Sequence, residues 1–107
     1  MTDIWRSFVA QRIMWECDWG LMFHDATVWQ ERNEHSLIKD FEQEVPGYIN
    51  NNKIKTILES LVLKSGKDQI GDNMLLCYEA LVSNGIISDS IEIDLLSAWL
   101  EDIQRMN

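Results

Sequence analysis

Apolar positions in the first seventeen residues fall into stripes at helical spacing. Ile4, Phe8 and Trp15 lie one turn apart, with Gln11 among them, and Trp5, Val9 and Ile13 form the neighbouring stripe. The spacing predicts a helix over residues 3–17, capped by Thr2 or Asp3 and stopped by Gly20. Arg6, Arg12 and Glu16 are left for its wetter side. So wide an apolar arc calls for cover from more than one direction. The pattern then changes. Leu21-Met22-Phe23-His24 and Ala26-Thr27-Val28-Trp29 flank a His24-Asp25 turn and predict a small β hairpin or an irregular extended segment. The polar residues 30–36 read as loop, with Ser36 placed to cap a second short helix over residues 37–44. Pro46-Gly47 is the strongest break in the chain.

Beyond that break the helical period returns three times. Ile54, Ile57, Leu58, Leu61 and Val62 form one stripe after N-cap candidates at Asn50 to Asn52, with Lys64 near the carboxyl end and Gly66 just past it. Met74, Leu75, Cys77, Tyr78, Leu81 and Val82 sit inside the next helix, which Asp68 or Asp72 opens and Asn84-Gly85 closes. Ile91, Leu95, Leu96, Trp99, Leu100 and Ile103 belong to the last, with Ser88 as its N-cap. The expected fold is mainly α, about five helices with a small β hairpin or extended segment after the first, in one domain spanning residues 1–107.

Composition narrows the class. The 107 residues are 46% hydrophobic, include five tryptophans and a single proline, and suit one cored domain rather than a disordered chain. A net charge of −9 repels phosphate backbones unless a local basic patch overrides it. Cys17 and Cys77 form neither a CxxC pair nor a disulfide framework and read as reduced, buried thiols. No apolar run reaches the length that crosses a bilayer, and no secretory signal opens the chain. The expectation is a soluble chain without membrane contact, consistent with the cytoplasm.

Candidate chemistry is sparse. His24 and His35, with Asp25, Glu31 and Glu34 near them, could touch a metal, but their spacing matches no zinc signature and surface histidines are the simpler reading. Trp5, Trp15, Trp19 and Trp29 could stack a sugar or a base, although helical spacing favours core packing. Residues 80–99 have a helix-turn-helix outline. Their second helix offers Asp89, Glu92, Asp94, Glu101 and Asp102 where a DNA reader needs outward donors, so a packing hairpin is the better account.

The opening Asp3-Ile4-Trp5-Arg6-Ser7-Phe8-Val9-Ala10-Gln11-Arg12-Ile13-Met14-Trp15 resembles a motif of the STELLO-type glycosyltransferase-like proteins. The resemblance continues at Arg32-Asn33-Glu34-His35-Ser36, through Lys39-Asp40-Phe41-Glu42-Gln43-Glu44, and again around Ser97-Ala98-Trp99-Leu100-Glu101-Asp102. His24 to Trp29 stand where that family tends to carry prolines. More distantly, the opening is similar to that of the reversibly glycosylated polypeptides. The resemblance implies a nucleotide-sugar enzyme of the GT-A kind, or the carboxyl-terminal part of one. It makes Asp3 a vestigial acceptor-side carboxylate, Arg6 and Arg12 its substrate-binding charge partners, and His35 a metal or diphosphate contact.

A GT-A enzyme also needs nucleotide-binding βα units and a DxD metal motif, and neither is legible in this sequence. The expectation is a non-catalytic helical piece of a larger protein that takes no cofactor itself, a divalent metal belonging to the full-length relative. It would act by packing on a catalytic domain or on another copy of itself. The alternative is a small winged-helix-like module that binds nucleic acid or protein through Lys53, Lys55, Lys64 and Lys67.

Overall fold

The computed structural model describes residues 2–107, the Thr2 side chain excepted, so the cap expected at Thr2 lies outside the described residues. The order is α1 (Thr2–Glu16), α2 (Leu37–Ser60), a 3-10 turn (Lys67–Gln69), α3 (Ile70–Ser83) and α4 (Ile91–Met106). The mainly α architecture is as expected. The fifth helix and the hairpin are not: among the described residues there are four α-helices and no strand.

α3 is the hub, packing on α1, α2 and α4, while α1 also packs on α2. Trp5, Val9 and Ile13 of α1 meet Ile54 and Leu58 of α2, Cys77, Tyr78 and Leu81 of α3, and Leu96 of α4 in one core, joined by Leu63, Ile86 and Ile87 from the connections. One of the two α1 stripes is therefore enclosed by its own chain. On the other, Ile4 and Trp15 remain exposed. α4 turns Leu96 inward and leaves Ile91, Leu95 and Trp99 more than half exposed.

The helix ends show which local signals won. Ser36 caps α2 as expected, its Oγ accepting from the Lys39 N–H at 3.5 Å. α3 closes at Asn84-Gly85 in a Schellman arrangement: Gly85 at φ 73° donates to Val82 O (3.0 Å) and Ile86 to Leu81 O (3.0 Å). α1 ends the same way, but not at Gly20. Asp18 takes φ 59°, donating to Trp15 O at 3.2 Å, and Trp19 donates to Met14 O at 2.9 Å. Before α4, Ser90 rather than Ser88 holds the cap position, and Asp89 Oδ1 accepts from the Ile91 N–H at 3.0 Å.

Pro46-Gly47 does not break the chain. The two helices expected on either side of it are one helix, α2, with Pro46 inside. A proline costs a helix one hydrogen bond and a clash with the preceding turn. Here the surrounding turns are largely exposed, Glu42 among them, so the Glu42 carbonyl that loses its donor is not shut away from solvent. At its other end α2 stops at Ser60, earlier than expected, because Leu63 enters the core. Gly66 (φ 99°) instead leads into the 3-10 turn, its N–H donating to Glu16 O at 3.3 Å.

Residues 21–36 carry no regular element and are exposed throughout. A hairpin needs a ladder and a covered face, and Met22, Phe23, Val28 and Trp29 meet no such cover. The Cα radius of gyration is 16.0 Å, against roughly 13 Å for a compact domain of about 100 residues. The difference fits the exposed 21–49 stretch.

Asp18→Gly should stabilise the fold by about 0.5–1 kcal/mol, because glycine adopts positive φ without the side-chain penalty. Urea denaturation reads this as a higher midpoint at unchanged slope.

Candidate functional site

The motif-bearing helix α1 presents its charged groups to the rest of the chain. Arg12, with little of its side chain exposed, lies over the carboxyl end of α2. Its Nε donates to Leu58 O at 2.9 Å, its Nη2 to Leu61 O at 2.8 Å and its Nη1 to Glu16 Oε1 at 2.8 Å. A helix ends with carbonyls that have no intrahelical donor, and the planar guanidinium meets two acceptors at this end at once. Glu16 completes the corner, with Ser65 Oγ donating to its Oε2 at 3.5 Å.

Asn73 continues the same work from α3. It is fully buried, at 0% exposure, yet satisfied: its Oδ1 accepts from the Lys64 N–H at 2.9 Å and its Nδ2 donates to Lys64 O at 2.7 Å. Trp5 Nε1 donates to Asn51 Oδ1 at 3.2 Å, tying α1 to the middle of α2.

Between α1 and α2 these ties leave a groove of about 370 Å³. Phe8, Gln11, Arg12 and Trp15 line it from α1, and Asn51, Asn52, Lys55, Leu58 and Glu59 from α2. Trp15 is 54% exposed there. Lys55 faces Glu59 at 3.9 Å, so the groove holds no uncompensated lysine.

The residues singled out from the sequence are distributed as follows. Asp3 lies exposed in the first turn of α1, where its carboxylate favours the helix dipole. Arg6 pairs with Glu92 of α4 at 3.2 Å; that hydrogen bond, with Tyr78 contributing, raises its pKa further. His35 is exposed just ahead of α2. Among the described residues no three His, Cys, Asp or Glu side chains gather as a metal site, so the metal expected through His35 has no ligand set here. Lys53 reaches Asn84 O at 3.4 Å, Lys64 pairs with Asp72 at 3.4 Å, and Lys67 lies in the 3-10 turn. Partnered lysines and the absence of a wing strand among the described residues leave the winged-helix reading unfavoured. Sequence reasoning missed Asn73 and the groove face of α2. The run Asn50-Asn51-Asn52 looked like a helix start, whereas it lies inside α2.

Cys77 is buried and Cys17 only partly so, and both are free thiols. Desolvation pushes the Cys77 thiol up from 9.0 to about 11, with the Arg12 charge opposing.

The family model of the STELLO glycosyltransferases matches residues 1–107. The chain belongs to the STELLO glycosyltransferase family. Nothing matches it among curated proteins or among solved structures. No described helix is long and apolar enough to cross a membrane.

Arg12→Ala should cost about 1–3 kcal/mol in chemical denaturation, since it strands Leu61 O, whereas Leu58 O keeps the Leu61 N–H at 3.3 Å. Arg12→Lys should recover little of that, because one ammonium cannot reproduce the two-pronged geometry. Burial disfavours the Cys77 thiolate, so the shift has no effect on stability well below the ordinary thiol value and lowers it as pH rises from about 9 towards 11. Denaturation midpoints across that window should fall less steeply for Cys77→Ala than for the native chain.

Proposed function

We propose that this chain is a non-catalytic helical module of a STELLO-type glycosyltransferase and acts by packing on a nucleotide-sugar-handling domain. The observation that carries this reading is the uncovered apolar surface of residues 21–49. Phe23 is 89% exposed and Trp29 84%, and Leu37, Ile38, Phe41, Tyr48 and Ile49 follow on the first half of α2. Phe41 and Tyr48 lie together, with ring centroids 6.2 Å apart, and an aromatic side chain presents roughly 150–250 Å², so this pair with its aliphatic neighbours reaches the ~300–600 Å² of the largest patch on a typical monomer. Surfaces of that size mark interfaces.

A second copy of the chain is a poorer occupant than a different domain. Asp25, Glu31, Glu34, Asp40, Glu42 and Glu44 stand against only Arg32 and Lys39 in this stretch, so two copies would bring like charges together.

The test pairs the purified chain with the DxD-bearing α/β domain of a family member. Saturable binding is expected, weakened at least about tenfold by Phe23→Glu with Trp29→Glu. The chain alone should transfer no sugar from any nucleotide sugar. Turnover by the isolated chain, a tight homodimer in sedimentation through the same two residues, or no binding to the α/β domain would each overturn the proposal.

A further inference from the structure

We propose that the groove between α1 and α2 binds a neutral sugar ring, with Trp15 as the stacking platform. This goes beyond the docking role of residues 21–49, which involves none of the groove residues. Sugars combine an apolar face of C–H groups with hydroxyls that both donate and accept. The groove offers the matching pair of surfaces. Phe8 and the half-exposed Trp15 form an apolar wall, and Gln11, Asn52 and Glu59 supply donors and acceptors around it. Asn51 is pre-set: Trp5 Nε1 already occupies its Oδ1, which fixes the amide and leaves its Nδ2 group as a donor. A volume of about 370 Å³ lies at the small end of ligand sites, which run from about 300 to 1,000 Å³. That is room for a single ring rather than a nucleotide.

The charges select against an anion. Three of the five Arg12 N–H groups are committed within the protein, to Leu58 O, Leu61 O and Glu16. Lys55 is matched by Glu59, and the chain as a whole carries −9. A phosphate or diphosphate would approach against the overall field and meet a guanidinium whose charge is already paired with Glu16 at 2.8 Å. A neutral polyol meets neither obstacle. Phe8, Gln11 and Trp15 also line a second hollow of about 370 Å³ with Met14, Trp19 and Leu21, so the platform borders space for a following ring.

Titrating the labelled 107-residue chain with glucose, galactose, mannose, xylose and N-acetylglucosamine, followed by amide and indole NMR signals, tests this. At least one sugar should give saturable shifts at the Trp15 indole N–H and the Asn51 and Asn52 side-chain amides. Trp15→Ala should weaken that binding by about tenfold, the loss of one aromatic contact surface, and Trp15→Phe should restore most of it. Asn52→Ala, at an exposed helical position, supplies a second variant expected to weaken binding without disturbing the fold. The proposal is overturned by no saturable shift with any sugar, by unchanged affinity in Trp15→Ala and Asn52→Ala, or by inorganic phosphate or uridine diphosphate binding these same residues more tightly than every neutral sugar.

Discussion

The structure depends on how the chain leaves α2. Leu63 has to reach the core three residues after the helix ends at Ser60, which draws backbone polar groups in with it. Buried peptide groups are costly unless bonded. Arg12 takes the carbonyls of Leu58 and Leu61, and Asn73 takes both polar groups of Lys64. These two side chains come from α1 and α3, so ending α2 and assembling three helices are one event.

The division of labour along α1 follows from that corner. Trp5, Val9 and Ile13 face inward because Arg12 and the Trp5–Asn51 bond fix the helix against α2. On the other stripe Phe8 packs against the edge of the core, whereas Trp15 stays half-exposed in the groove that Asn51 and Asn52 also line. Residues of the family-like opening thus serve two purposes. Arg12 and Trp5 build the frame, whereas Phe8, Gln11 and Trp15 line the groove. Arg6 joins the frame through Glu92, tying α1 to α4.

What could be read in advance was local. Periodicity located α1, α3 and α4, Ser36 marked the start of α2, and Asn84-Gly85 marked the end of α3. What could not be read depended on distant partners or on solvent. Pro46-Gly47 looked like a break because proline is judged against a buried helix, and here the helix around it is largely open to water. Lys64 and Gly66 looked like a helix end, yet the end is set by Arg12, 49 residues before Leu61, and by Asn73. The hairpin was inferred from apolar alternation in residues 21–29 that finds no covering layer in this chain. The groove escaped because its polar half resembled a helix cap and its aromatic half resembled core. Family membership was legible from the opening motif together with the stretches around residues 32–44 and 97–102, and the family model matches residues 1–107.

Central to this account is a body consolidated around Arg12 and Asn73 that carries an uncovered apolar flank. Native-state amide hydrogen exchange on the isolated chain measures both halves of that claim together. Amides of α3 and of the second half of α2 should exchange only through global unfolding, while those of residues 21–49 exchange through far cheaper local openings. Protection of residues 21–49 equal to that of α3 would contradict it, because the flank would then already be covered within the chain itself.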